Sequence, residues 1–482
     1  MSVVCTGNDK KFVTLIYLII TMSLDITSKS YRNWILFIAC LSSSFVPFMG
    51  SSINLALPQM AREFGLNGIE QSWILTAYLL STTVLQVPFG RLADIWGKRN
   101  VFILGLCLFA VATLGCGFSS SGLFLIILRV LQGIGSAMIF STNIAIISSV
   151  FPPKERGTAM GINAATVYVS IAAGPSLGGF ITESLGWEYI FFITALLAMI
   201  SLITSVIIMK EKWVETAGEP FDMKGTVIYG LAVMMLIYGM TILPQLIGFI
   251  LVIVSFFLFW LFIKHEQKEA YPVFNVGLFI KNRIFRMSST AALINYAATF
   301  PIGFLISLYL QEVKGLDAQH AGMILIVQPL IQSALSPIAG KLSDRLQPRY
   351  IASAGMALIT GTLLILSFFI SPETSVVFLM GMLGLLGIGF AAFSSPNTNA
   401  IMGSVERKNY SMASATTGTV RLMGQSFSMG ITTMIISVVI GKQAITPEVS
   451  DGLMIVIHIT FFIFAVICAM GVYASMARGK NG

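Results

Sequence analysis

The chain has 482 residues, of which 56% are hydrophobic and only 10% charged, with a formal net charge of +8 and a mean hydropathy of +0.86. A soluble domain carries about 25% charged residues, so this composition excludes a water-facing globular surface. Five cysteines (Cys5, Cys40, Cys107, Cys116 and Cys468) show no C-x-x-C spacing; they are read as packing residues rather than disulfide partners or metal ligands.

In chain order, the apolar residues fall into runs of about 20, the length of a helix that crosses a ~30 Å hydrocarbon core. The alternating ten-residue segments of a transmembrane barrel do not occur. A first run at 12–24, FVTLIYLIITMSL, is short for a span. It reads as an interfacial helix, or as an upstream extension if the chain begins at Met22. Six spans follow at 34–58, 71–90, 100–118, 122–148, 158–183 and 186–209, then two at 225–243 and 245–263. The last six lie at 284–310, 320–340, 350–370, 374–402, 411–440 and 452–476. The expected fold class is therefore an all-α membrane protein with 14 transmembrane helices.

The basic residues orient this chain. With the N-terminus inside, 24 of the 29 Lys and Arg fall in cytoplasmic segments, and only Arg62, Lys314 and Lys442 fall in external loops. Such a bias predicts a plasma-membrane protein with both termini cytoplasmic. It also assigns the net charge to topology, so no nucleic-acid partner is expected. Trp34, Trp73, Trp187 and Trp260 sit near span ends, where indoles favour the headgroup region. The two remaining cations, Arg129 and Arg421, lie within spans. A spanning Arg costs roughly 2.5–3.5 kcal/mol on insertion scales and marks a functional-site hypothesis.

The segment GRLADIWGKR (90–99) returns as GKLSDRLQPR (340–349), with Gly90/Gly340, Leu92/Leu342, Asp94/Asp344 and Arg99/Arg349 matched. Each copy follows the second helix of a six-helix set, in what reads as a cytoplasmic loop. The copies are eight helices apart, which gives a 6+2+6 arrangement with two pseudo-repeated halves. The expected divisions are an N-terminal segment 1–33, a first bundle 34–209, an inserted pair with its flanking loops 210–283, a second bundle 284–476 and a tail 477–482.

Three motifs carry a resemblance. In the first repeat, Gly90, Asp94, Gly97, Lys98 and Arg99 fit a Gly-x3-Asp pattern followed by a basic pair; in the second, Gly340, Asp344 and Arg349 persist. RVLQGIGSA (129–137) supplies Arg129 and Gln132, three residues apart on one helix face. GPSLGG (174–179) supplies Gly174, Pro175, Gly178 and Gly179, with Ser170 where a further glycine is expected. Together these resemble the major facilitator superfamily, and within it the 14-helix drug:proton antiporter family, over about residues 34–476. The resemblance implies a secondary transporter that works by rocking of its halves. The repeated loops would latch those halves, Arg129 would take part in proton coupling, and the 174–179 motif would favour export.

The acids complicate that picture. All 21 Asp and Glu fall in loops or at span ends. Many relatives carry an Asp in the first helix before an Ala-Leu-Pro segment; here FMGSSINLALP places Met49 at that position. A buried carboxylate is the usual proton carrier and the usual counter-ion for cationic drugs. Glu183 and His458 remain as weaker titrating candidates. The central cavity is expected to draw on Asn54, Arg129, Gln132, Asn295, Gln328, Gln332, Asn397, Asn399 and Arg421, with Arg129 facing it as a cation. Two cations and several amides suit an anion or a neutral polar solute better than a lipophilic cation. The leading expectation is a proton-coupled exporter of small organic molecules or drugs. The alternative is a facilitator or exporter of anionic or neutral solutes without the usual proton coupling. Expected partners are a small-molecule substrate, protons and the lipid bilayer, around a monomer. HExxH and buried carboxylate pairs are absent from the sequence, so no enzymatic activity, cofactor or metal is expected.

Overall fold

The computed structural model describes residues 28–66, 68–316, 318–441 and 449–479. The expected interfacial helix at 12–24 lies outside them, as do residues 480–482 of the tail. No strand occurs among the described residues. Six helices come first: α1 (Lys29–Phe64), α2 (Gly68–Trp96), α3 (Lys98–Gly117), α4 (Gly122–Val150), α5 (Pro153–Ser184) and α6 (Glu188–Ile208). A hairpin of α7 (Met223–Thr241) and α8 (Leu246–Glu266) follows, then a short α9 (Val276–Lys281). The remainder comprises α10 (Arg283–Thr299), α11 (Ile302–Leu308), α12 (Ala318–Leu325), α13 (Val327–Ser343), α14 (Pro348–Phe369), α15 (Val376–Gly403), α16 (Tyr410–Val439) and α17 (Ser450–Met476). Among the described residues, 13 helical stretches are long and apolar enough to cross a membrane. The count is 14 with α5 included, whose parts Pro153–Gly174 and Leu177–Ser184 meet at a 41° bend.

Local chemistry sets the helix ends. Side chains of Ser121, Asp222, Asn282 and Ser375 accept backbone N–H bonds at the starts of α4, α7, α10 and α15. Pro153 and Pro348 occupy first-turn positions where no N–H is needed. The expected loops at the repeated motif are in fact mostly helical. α2 runs through Asp94 to Trp96 and breaks only at Gly97, whose φ of 104° is closed to most side chains. Likewise α13 continues to Ser343. The span expected at 284–310 is interrupted after Thr299, and α11 starts at Ile302, because Pro301 cannot donate within a helix.

Two large cores organise the molecule. One joins α1–α6 around Phe45, Phe102, Phe109, Trp187 and Phe191. The other joins α10–α17 around Tyr309, Met356, Phe393 and Phe461. A smaller core seats α7 against α2 and α16 through Val87, Tyr229, Val233 and Ala415. Helix α8 is the most apolar of the spans at mean hydropathy 3.0 and only 17% of its window is buried. It therefore offers Phe249, Ile253, Phe256, Phe257 and Trp260 outward, as a lipid-facing helix should.

Candidate functional site

A cavity of about 80 Å³ lies between the two large cores, lined from α1, α2, α4 and α5 on one side and α10, α15 and α16 on the other. Its polar wall includes Gln86, Asn143, Asn163, Tyr168, Tyr296 and Arg421. Arg421 sets its guanidinium carbon 5.6 Å from the centre of the Phe140 ring. No carboxylate lines the cavity among the described residues. The side-chain oxygens of Gln86, Asn143 and Asn163 are buried without a hydrogen-bond partner. Asn143 donates to the Ala39 carbonyl at 3.0 Å, and Tyr168 donates to Ser394 Oγ at 3.3 Å across the halves. The cavity thus combines one fixed cation, phenolic donors and three free acceptors. Buried polar groups without partners are costly, so they define what a guest must offer: hydrogen-bond donors for the amides and an anion or strong acceptor for Arg421.

Arg129 does not line this cavity, which corrects the expectation that it faces the solute. It is 1% exposed and enclosed by α1, α2, α3 and α4. Its Nε donates to the Ile74 carbonyl at 2.9 Å, its Nη1 donates to Gln132 Oε1 and to Met49 Sδ, and its guanidinium carbon stacks 4.4 Å from the Tyr78 ring centre. Gln132 in turn donates to Thr113 Oγ1 at 2.6 Å and to Met49 Sδ at 3.1 Å. The sulfur of Met49 therefore stands where the resemblance leads one to look for a carboxylate. Carbonyl, amide, thioether and ring thus surround a cation that is 1% exposed.

The other expected residues divide. Gln328 donates to Gln332 at 2.8 Å along α13, Asn397 donates to the Ser288 carbonyl at 3.2 Å, and Asn399 donates to Ser343 Oγ at 3.1 Å; none lines the cavity. Asn295 is buried with its amide nitrogen unpartnered. The side chains of Asn54 and Pro175 lie outside the described residues. Glu183 is exposed at the end of α5, while His458 pairs through Nδ1 with the Ser367 carbonyl at 2.6 Å, far from the cavity lining. In the GPSLGG segment, a Cβ on Gly174 would lie 1.7 Å from Ser51 Oγ, and one on Gly178 2.5 Å from Ser52 Cβ. These glycines let α1 pack onto α5 within one half. Gly179 is half-buried beside them.

Sequence reasoning missed Gln86, Asn143, Asn163, Tyr168 and Tyr296. One signal was present: Arg129, Ser136 and Asn143 recur at seven-residue steps on α4, a polar stripe on an apolar helix.

The repeated motif ties the two halves together, and it does so twice. Asp344 caps the first turn of α5: Oδ1 accepts from the Gly157 N–H at 2.7 Å, and Oδ2 from the Thr158 N–H at 2.9 Å and hydroxyl at 2.8 Å. A carboxylate is favoured there by the free N–H groups and the helix dipole. A Cβ on Gly340 would meet the Gly157 carbonyl at 2.2 Å, so only glycine permits this crossing. Asp94, itself 1% exposed, faces Ser411 in the first turn of α16. A Cβ on Gly90 would lie 2.8 Å from Ala415 Cβ. Arg156 donates to Tyr410 Oη at 2.9 Å and adds a further tie between the halves.

The two copies differ in their basic residues. Lys98 is buried 3.9 Å from Asp94 and 3.2 Å from Glu215, and Arg99 Nε donates to the Met209 carbonyl at 2.6 Å. Arg91 pairs with Glu219, and the Asp94 carbonyl accepts from the Glu215 and Thr216 N–H groups, each at 3.1 Å. The segment entering α7 is thereby strapped to the first loop. Arg349 instead stacks on its neighbour Tyr350, 4.5 Å from the ring centre.

Comparison with known proteins agrees with this architecture. The family model described as Major Facilitator Superfamily matches residues 39–281 and 288–479. Riboflavin transporter RibZ of Clostridioides difficile (strain 630) is 29% identical over 400 residues, covering 83% of this chain and 87% of the relative. Multidrug resistance protein Stp of Mycobacterium tuberculosis (strain CDC 1551 / Oshkosh) is 28% identical over 387 residues, covering 79% of this chain and 71% of the relative. The tetracenomycin C resistance and export protein of Streptomyces glaucescens is 27% identical over 386 residues, covering 77% and 70%. Among solved structures, the human organic anion transporter MFSD10 (TETRAN) superposes with a TM-score of 0.64 at 14% identity, covering 92% of this chain and 99% of that one. That likeness concerns the fold alone.

Proposed function

The chain belongs to the Major Facilitator Superfamily, and from that premise we propose that it exports neutral or anionic ring-bearing organic solutes by alternating access. One observation carries this reading: Arg421 faces the cavity between the halves, and no carboxylate lines that cavity among the described residues. A lipophilic cation would find an unshielded like charge there, whereas an anion or a polar ring system would find donors and free amide acceptors. The direction of transport rests on relatives that include a multidrug resistance protein and an export protein.

In this reading the protein lies in the plasma membrane with both termini cytoplasmic. The units 34–209 and 284–476 rock about the cavity, while 210–283 rides with the strapped first loop. The sealed basic end is then the cytoplasmic gate, held by Asp94 and Asp344 on opposite helix starts. A cavity of about 80 Å³ is smaller than the roughly 300–1,000 Å³ that drug-sized ligands occupy, so the solute enters only after the halves part. Arg421 contacts the solute, whereas Arg129 and Gln132 hold α1, α2 and α4 together.

The sulfur of Met49 beside Arg129 supports the second coupling scheme, in which no first-helix carboxylate carries the proton. The test is uptake into inverted vesicles containing the protein, with riboflavin as the neutral probe, flavin mononucleotide as the anion and ethidium as the cation. Preferential movement of either flavin is the expected result, with a weak response to an imposed pH gradient. Preferential, pH-driven movement of ethidium would overturn both the solute class and the coupling.

A further inference from the structure

The inserted hairpin carries a cluster that the transport cycle does not use. Asp222 caps α7, its Oδ1 accepting from the Gly225 N–H at 2.9 Å. Its other oxygen lies 2.9 Å from His265 Nε2 in the last turn of α8, and the same nitrogen lies 3.9 Å from Glu269 Oε2. The ligand-capable atoms of Asp222, His265 and Glu269 all lie within 4.8 Å of one another.

A third carboxylate adjoins Asp222 at the edge of this group. Glu266 is 3% exposed; its Oε2 accepts from the Phe274 N–H at 2.9 Å, while Oε1 is buried with no hydrogen-bond partner. A Cβ on Gly225 would lie 2.3 Å from that Oε1 and 2.4 Å from Asp222 Oδ2. Both oxygens therefore converge on the spot that glycine leaves open. Three carboxylates surround a single imidazole. Like charges packed this closely repel, and an unpartnered buried carboxylate oxygen is costly. A divalent cation offsets both costs at once.

We propose that Asp222, His265, Glu266 and Glu269 form a binding site for a first-row divalent cation that clasps the entry of α7 to the exit of α8. The donor set is one imidazole nitrogen with carboxylate oxygens and no thiolate, which suits Zn²⁺ and its harder first-row neighbours. His265 and Glu269 are 24% and 36% exposed at their side chains, so an ion has a path in from water. Zinc bonds of about 2.0–2.2 Å call for closer ligands than the present spread. The half-exposed Glu269 is free to swing inward.

The test uses full-length protein purified without a polyhistidine tag, stripped with chelator and titrated with Zn²⁺ by calorimetry and elemental analysis. One Zn²⁺ per chain is expected, together with a Zn²⁺-dependent rise in melting temperature. His265→Ala and Glu269→Gln should each weaken binding at least about tenfold; both positions are partly exposed, and the elution profile in size exclusion checks their folding. Absence of stoichiometric Zn²⁺ in the wild type overturns the site and leaves His265 as a hydrogen-bond partner of Asp222 alone. Binding that survives both substitutions also overturns it, by locating the ion elsewhere. Neither result bears on which solute the cavity accepts.

Discussion

The two membrane-embedded arginines have opposite surroundings. Arg129 is shut inside one half, its Nε and Nη1 donating to a carbonyl, an amide and a thioether, with a ring beneath it. Arg421 stands on the wall of the cavity that both halves share, against the Phe140 ring. The lesson is that a costly intramembrane cation is not by itself a solute ligand. Arg129 offsets its insertion cost through contacts to its neighbouring helices, whereas Arg421, in the proposed cycle, keeps its charge available where the halves separate. Neither has a carboxylate partner among the described ion pairs.

Substitutions sharpen the contrast in decreasing order of effect. Arg421→Ala should weaken flavin mononucleotide binding by about tenfold or more, the worth of one charge-assisted hydrogen bond. Its apparent melting temperature should stay near that of the wild type, which a ligand-free thermal ramp checks. Arg129→Ala should do the reverse. It strands the Ile74 carbonyl and Gln132 Oε1, at about 1–3 kcal/mol for a buried unsatisfied group, so the ramp should drop by several degrees while affinity is unchanged. Met49→Asp supplies the missing counter-ion to Arg129. Desolvation of the new carboxylate offsets most of the attraction, so a gain on the order of 1 kcal/mol is expected in the same ramp. Tyr168→Phe removes only the 3.3 Å bond to Ser394. A neutral bond at that length should be worth about 0.5 kcal/mol, visible as a small rise in transport KM.

Much of the architecture was legible because it follows from hydropathy and repetition. Span positions and the 6+2+6 order have local signatures, and the repeat itself is marked by a Gly four residues before each of Asp94 and Asp344. The orientation of Arg129 did not. Helical periodicity puts Arg129 and Gln132 on one face, yet that face at this depth looks into the first half. The same stripe about four turns further on, at Asn143, reaches the cavity. Depth along a helix decides which neighbour a face meets, and depth is set by packing partners remote in sequence. The clasp of α7 and α8 was illegible for a related reason: Asp222 and His265 are 43 residues apart, and no short spacing announces them. The differing fates of Arg99 and Arg349 likewise depend on the strap at 209–219, which only the first repeat has beside it.

The measurement that tests the central contrast most directly is a thermal-shift titration of purified wild type, Arg421→Ala and Arg129→Ala with flavin mononucleotide, since a ligand of the folded state raises its apparent stability. The expected result is equal stabilisation of wild type and Arg129→Ala, with about tenfold more ligand or beyond needed for the same shift in Arg421→Ala. Stabilisation of Arg421→Ala together with its loss in Arg129→Ala would contradict the assignment and make the enclosed arginine the solute ligand after all.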